Sequence, residues 1–424
     1  MDNLMKDEPL IHTEVTPTDK FKTTIVTFKF MAPLDVKTMT HRSLLSKILV
    51  RATQKWPDDK AFNRHLSDLY GAYIHSYVSK FKDKHVITIS LEIVNERYLT
   101  DDTPLFEKGL ELLNEIIWNP LVENGAFNTQ FLQQEKSLLR KKLKAMNDNK
   151  SQLAYLNLLK HMFNDHPYRF LATGDLTELE KVTPASLYET YQSMIENDFC
   201  SVYVVGNVNK AAAEEKIKQQ FAIKPFTYKP SQISAIHNND ETNTIVEYAD
   251  VDQAKLNMGF KFNTEFGKDA YFALVVFNMM FGGDPSSVLF NEVREKQSLA
   301  YSIHSQIDAK NGFLFVLSGV SKDKYEQAKD TIIEEFTKIK NGEFSDNQLN
   351  LAKKIIQSHR LESKDRPKNM IEIMHNQLLL DVPMTDEMFI QNIKKVSRAD
   401  VQNLCDQAEL DTIYILTKEE DVNE

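Results

Sequence analysis

Cysteine is almost absent: Cys200 and Cys405 are the only two among 424 residues. That excludes a disulfide scaffold and a cysteine-built zinc cluster, and a reducing cytoplasm is the expected compartment. Long apolar runs are missing too. The longest, Ala270 to Phe281, is too short to span a bilayer and is broken by Asn278. The first fifteen residues carry acids and no apolar core, so no signal peptide is expected there. Basic residues are in deficit, 51 Lys+Arg against 61 Asp+Glu, a formal charge of -10. Such a surface repels phosphate backbones and anionic lipid, so neither nucleic acid nor a membrane is an expected partner. No G-x-S-x-G occurs, and GGDPSS from Gly282 lacks the G-K-[ST] ending of a phosphate loop. It reads as a tight turn with Ser286 or Ser287 capping the next helix. What is present, 42% hydrophobic and 26% charged residues, is the balance of a folded chain of two or three domains.

An internal repeat organises the chain. KVTPASLYETYQSMIENDFCSVYVVG from Lys181 and KVSRADVQNLCDQAELDTIYILT from Lys395 share one plan: cap, amphipathic helix, acidic turn, apolar strand. Thr183 caps the first helix with Pro184 in its first turn; Ser397 caps the second, with Asp400 three residues on. Predicted strands follow at Phe199–Val205 and Thr412–Leu416. A second pair, from Leu69 and from Leu299, reads as a hairpin in each half. Helices predicted over Thr38–Val50 and Asp269–Phe281 precede the hairpins, and Leu105–Ile117 and Tyr325–Ile339 follow them. The expected fold class is α+β: two homologous domains, 1–220 and 244–424, each a mainly antiparallel sheet packed on helices. Residues 221–243, with two prolines and many Ser, Asn and Thr, read as the linker.

Two separated segments carry a likeness. FGGDPSSVLFNEVREKQSLAYSI from Phe281 resembles the C-terminal-domain signature of the pitrilysin and mitochondrial-processing-peptidase family of inverzincin metallopeptidases. NDHPYRFLATGDLTELEKVTPASL from Asn164 resembles the family's N-terminal domain beyond its metal site. With the duplication, the likeness covers nearly the whole chain and implies the pitrilysin-like metallopeptidase fold. Among such chains it is most similar to a metal-free bacterial kind, labelled elongation factor P aminopentanol modification-associated, that stands beside an active pitrilysin-like protein.

Active members carry H-x-x-E-H on a helix, where two histidines four apart bind zinc from one face and the Glu activates the metal-bound water. None of the eleven histidines here fits that pattern. His161 and His166 are five apart, the wrong spacing for one face, and read as loop or cap residues. The resemblance places Ser43, Ser46 and Lys47 where His, Glu and His would stand, on a face opposite Leu44, Leu45, Ile48 and Leu49. On the helix predicted over Phe127–Lys144 it places Glu135 at a supporting acid and Lys142 at the distant third ligand. An ammonium repels a cation, so no zinc is expected in this chain. Lys47 and Lys142 either replace the metal's charge and hold the pocket together or are solvated surface lysines, which is the expectation. The run RKKLK from Arg140 reads as one charged helix face.

The resemblance also implies what is kept. Arg294 and Tyr301 match the pair that, in the family, reaches a zinc site on a facing domain and stabilises the oxyanion of the tetrahedral intermediate. The plainer alternative is that Arg294 pairs with an acid on its own helix and Tyr301 packs into a sheet. The expected function is a non-catalytic subunit of a heterodimeric zinc peptidase, lending Arg294 and Tyr301 in trans. Its expected partners are a related subunit with intact H-x-x-E-H, carrying the zinc, and an unstructured peptide substrate added as a strand to a sheet edge, with the strand around Ser76–Val78 as this chain's own such edge. The rivals are a non-enzymatic binding or assembly protein on the same fold and a stand-alone hydrolase with unconventional ligands.

Overall fold

The structure, a computed structural model, describes residues 12–221 and 241–419. Most of the expected linker, residues 222–240, therefore lies outside the described residues. Strands β1 (His12–Pro17), β2 (Thr23–Pro33), β3 (Tyr73–Phe81), β4 (Lys84–Val94) and β5 (Phe199–Gly206) form one sheet in the order β1-β5-β2-β4-β3. Strands β6 (Asn243–Tyr248), β7 (Ala254–Lys261), β8 (Ala300–Asp308), β9 (Phe313–Val320) and β10 (Glu409–Thr417) form a second in the order β8-β9-β7-β10-β6. The two orders are one topology read from opposite edges. In each, the first strand runs parallel to the last and every other pairing is antiparallel.

Local signals explain the helices that the repeat predicts. The first, α1 (Val36–Leu49), begins two residues before its expected start because Asp35 caps it, accepting from the Lys37 N–H. Thr183 and Ser397 close capping boxes with Ser186 and Asp400. In the GGDPSS turn the serine hydroxyls do not cap. Asp284 Oδ1 accepts from both the N–H and the hydroxyl of Ser286, and Ser287 Oγ bonds nothing among the described residues.

The central strands of each sheet are buried on both faces. β2 shows why: Phe28 and Phe30 point to one side and Ile25, Thr27 and Lys29 to the other, and all five are buried. One layer of helices cannot cover both faces, and the second cover comes from the opposite half of the sequence. The chain divides into two compact units. Of the described residues, one holds 12–143, 170–221 and Arg366–Leu379; the other holds Lys144–Arg169, 241–365 and 380–419. The boundaries expected at 1–220 and 244–424 therefore miss an exchange of helices. Helices α2 (Thr129–Asp148), α3 (Lys150–Phe163) and α4 (Pro367–Leu380) are the ones concerned. Helix α4 joins the first unit, where Ile371 and Met374 cluster with Ile25, Tyr203 and Val205. Helix α3 joins the second, where Phe163 packs edge-on to Phe313 at 4.9 Å and Met162 lies over Gly259. Each fully buried side chain of this size stabilises by about 1.5–3 kcal/mol.

Candidate functional site

Helix α1 carries Ser43, Ser46 and Lys47, the positions that the resemblance sets at the metal motif, and it is enclosed on more sides than its amphipathic pattern predicts. Leu44, Leu45, Ile48 and Leu49 are buried, but so are Ser43 and Ser46, at 5% and 0% exposure. Ser46 turns its hydroxyl back to donate to the Ser43 carbonyl at 2.8 Å. Arg42 is buried as well, its guanidinium donating to His85 Nδ1 at 3.0 Å and meeting Asp198 Oδ2 at 2.7 Å. The face opposite Leu44, Leu45, Ile48 and Leu49 is thus packed at Ser43 and Ser46, whose small side chains leave room for neighbouring elements to close over it.

Lys47 is the exception. It is exposed, and its Nζ donates to the carbonyl of Ser76 on β3, the outermost strand of its sheet. Burial of its stem lowers its pKa first; Glu135 pulls it back up and Lys142 lowers it further. Lys142 is fully at the surface of α2. Glu135, the supporting acid, accepts from Arg51 at 3.2 Å, while Arg51 also reaches Asp59 at 2.7 Å. Lys47 therefore fits neither expectation completely: it is solvent-exposed, yet tethered to the strand edge. Hydroxyls and ammoniums do not suit zinc, and among the described residues no group of three or more His, Cys, Asp or Glu stands ready to hold a metal. His161 and His166 play other parts. His161 Nε2 lies 3.6 Å from Glu247, and His166 Nδ1 accepts from the Tyr168 N–H in a tight turn.

One residue near Lys47 escaped the sequence reading. His75 on β3 stacks between Tyr73 and Tyr77, with ring centroids at 5.3 and 6.1 Å. Neither of its ring nitrogens has a hydrogen-bond partner among the described residues. Burial chiefly, then the charge of Lys368, holds its pKa down at about 4. The alternation Tyr73-Ile74-His75-Ser76-Tyr77 was the available signal, since period two puts the three rings on one face.

The second unit displays Arg294 and Tyr301. Arg294 stands on a π-helical turn, Phe290–Lys296, anchored in the core by the fully buried Val293. Its guanidinium lies over the Phe290 ring at 4.7 Å and 3.5 Å from Glu295, with 42% of the side chain exposed. Ser298 follows in the left-handed region at φ 51°. Then the pairing of β8 with β9 slips between Ala300 and Ser302, leaving Tyr301 at a bulge on an outermost strand. Tyr301 is 60% exposed and its hydroxyl has no partner among the described residues. Tyr301 does not pack into its sheet, whereas Arg294 follows the plainer alternative in part: it meets an acid of its own turn, Glu295, and stacks on Phe290. An arginine and a phenol held outward are donors suited to a peptide carbonyl or an oxyanion.

Comparison with known proteins bears on the family and the fold. A family profile described as the peptidase M16 inactive domain matches residues 181–356. The chain is 36% identical over 402 residues to the "Probable inactive metalloprotease YmfF" of Bacillus subtilis, covering 95% of this chain and 94% of that one. The chain belongs to the M16 peptidase family. The word inactive stands in the name of that relative and in the description of the matched profile. Among solved structures, a conserved protein from Enterococcus faecalis superposes with TM-score 0.89 at 30% identity over 98% of both chains. A peptidase M16 inactive domain from Pseudomonas fluorescens superposes with TM-score 0.79 at 17% identity, over 97% of this chain and 96% of that one. At that identity the likeness bears on the fold alone.

Proposed function

We propose that this M16 chain is the non-catalytic subunit of a two-chain zinc peptidase, pairing with a related H-x-x-E-H subunit and presenting Arg294 and Tyr301 to the peptide in trans. The observation that carries this reading is the run from Arg294 to Tyr301. Within it a π-turn, a positive-φ serine and a bulge follow one another, and both side chains end exposed, Arg294 with contacts only to Phe290 and Glu295 of its own turn among the described residues. Irregular backbone at such density is a reason to look for function. In the partner's site, attack of metal-bound water would build charge on the scissile carbonyl oxygen. An outward guanidinium and phenol are the groups to receive it. The compartment for this activity is the cytoplasm in our reading; among the described residues no helix is long and apolar enough to cross a membrane.

The test mixes this chain with a related H-x-x-E-H chain and follows cleavage of an unstructured peptide. Activity is expected only in the mixture, and Arg294→Ala lowers it by about 100-fold or more, the loss typical of one oxyanion donor. Cleavage by the isolated chain overturns the subunit reading. Full activity of the mixture with Arg294→Ala and Tyr301→Phe favours the rival, a binding or assembly protein without a catalytic share.

A further inference from the structure

Strand β9 carries a glycine that its backbone does not require. Gly319 is buried and paired on both sides, with Ser302 of β8 and Lys255 of β7, and its φ is outside the left-handed region. Glycine inside a strand gives up packing and marks places where something else approaches closely. Here the approach is made by three polar ends. A Cβ on Gly319 would stand 3.1 Å from Gln253 Oε1, 3.2 Å from Ser302 Oγ and 3.4 Å from Lys255 Nζ. None of those three side chains makes a hydrogen bond or an ion pair among the described residues. Lys255 is half-buried. Burial chiefly lowers its pKa, and the exposed Asp252, which forms no ion pair with it, raises it. Six residues on, the same face of β7 brings Lys261 to a carboxylate, that of Asp411. At Lys255 the described residues supply no such contact.

We propose that Lys255, Ser302 and Gln253 bind a carboxylate of the peptide in the space over Gly319. In taking a peptide as ligand this rests on the reading above, but it requires neither zinc nor a partner chain. Lys255 gives the charge and a charge-assisted bond, and Ser302 gives a hydroxyl donor. Gln253 turns its terminal amide by half a rotation, because Oε1 repels an anion and Nε2 donates to one. Gly319 gives the room, since any side chain there fills the space that the anion takes. A neutral amide leaves the Lys255 ammonium without a counter-charge, so the site discriminates by charge. Ser302 directly follows Tyr301 at the bulge of β8, so the acid is read next to the phenol that the proposed function turns to the peptide. The three side chains thus set a preference for acidic peptides beside donors that serve any backbone.

The experiment uses the full chain alone and three nine-residue peptides carrying an uncharged fluorophore. One has a central Glu and an amidated C-terminus, one a central Gln and a free C-terminal carboxylate, and one a central Gln and an amidated C-terminus. Anisotropy is expected to show about tenfold tighter binding of an acid peptide than of the neutral one at 50 mM salt, with most of the preference lost at 0.5 M. Whichever acid peptide shows it identifies the carboxylate as side-chain or terminal. Lys255→Met abolishes the preference, and Lys395→Met, an exposed lysine elsewhere, leaves it intact. Gly319→Ala separates a binding role from a structural one. Alanine suits a strand at this φ, so the unfolding midpoint holds or rises, while the methyl group takes the anion's place and the preference falls several-fold. If Gly319→Ala unfolds, Lys255→Met alone decides. Equal affinity for the three peptides, no binding of any, or a preference that survives Lys255→Met or a folded Gly319→Ala overturns the proposal. None of those outcomes touches the cleavage experiment, which reads Arg294 and Tyr301 in the mixture.

Discussion

The contact that ties the exchanged helix α4 to its sheet makes a sharp prediction about stability. Lys29 on β2 is buried, its side chain 1% exposed, and donates to Glu372 Oε1 at 2.6 Å; Tyr77 donates to the same oxygen at 2.9 Å. The Glu372 side chain is 43% exposed, so the two halves of the pair are unequal. Removing the carboxylate strands an ammonium in the interior, a loss of about 3–5 kcal/mol for a fully buried pair. Water reaching the vacated, partly open site discounts this to about 2 kcal/mol for Glu372→Ala. Removing the lysine instead leaves a carboxylate that solvent and Tyr77 can satisfy, and Met fills the space, so Lys29→Met falls within about 1 kcal/mol of the wild type. Burial lowers the Lys29 pKa, against the pull of Glu372, so the folded state binds fewer protons than the unfolded one at alkaline pH. The Glu372→Ala penalty therefore shrinks as pH rises and Lys29 loses its charge. Both tryptophans, Trp56 and Trp118, lie in the same unit as this pair, so urea unfolding followed by tryptophan fluorescence reads it directly. With a slope of about 2 kcal/mol per molar urea, Glu372→Ala moves the midpoint down by about 1 M and Lys29→Met hardly moves it. Equal losses for the two variants, or a larger one for Lys29→Met, would refute the argument from unequal burial.

Four further outcomes are expected. Acid weakens the fold: His75 and His85, lowered by burial to about 4 and about 3 from 6.5, stay neutral in the native state while the unfolded chain takes up protons. Stability therefore falls as pH drops through 6.5 toward about 4, by about 1–3 kcal/mol once the half-exposure of His75 is discounted, and His75→Gln flattens that slope in unfolding curves measured at stepped pH. Gly174→Ala costs more than about 2 kcal/mol, read from the same midpoints, because φ is +80° there and the new Cβ would sit 1.9 Å from Thr40 Oγ1. Rebuilding the metal motif fails on packing: Ser43→His and Ser46→Glu each destabilise by about 1–3 kcal/mol in thermal unfolding, while Lys47→His is tolerated. Arg294→Ala and Tyr301→Phe leave the unfolding midpoint within about 0.5 kcal/mol of the wild type, since neither supports the core.

Signals that act within a few residues were legible in the sequence. Thr183 with Pro184 and Ser397 with Asp400 announced helix starts because a cap must satisfy orphan N–H groups locally. Phe199–Gly206 and the hairpin Tyr73–Val94 declared themselves by β-branched and aromatic alternation. The exchange of α3 and α4 was not legible, because which sheet a helix covers is decided by distant partners such as Ile25 and Tyr203, not by its own stripe. Nor was the enclosure of Ser43 and Ser46. A serine reads as polar in a helical pattern, and only tertiary packing shows a hydroxyl returned to its own backbone.

The two units present their polar side chains in opposite ways, and packing accounts for both. In the first unit, serines sit inside the packing of α1 because Ser46 satisfies its hydroxyl within the helix and neighbouring elements close over it. Nothing polar is left buried and unpaired at that residue, so no penalty of about 1–3 kcal/mol arises there. In the second unit, the stretch from Phe290 to Ser302 that leads into the hairpin holds a π-turn, a left-handed Ser298 and a bulge, irregularities that cost backbone energy and leave Arg294 and Tyr301 exposed. A fold under pressure for stability alone would relax that stretch, as Gly at 298 and a small polar residue at 301 would do without loss of core. A costly, exposed turn in one unit and a closed, packed helix in the other make the physical asymmetry that a donor acting on another chain's chemistry would produce.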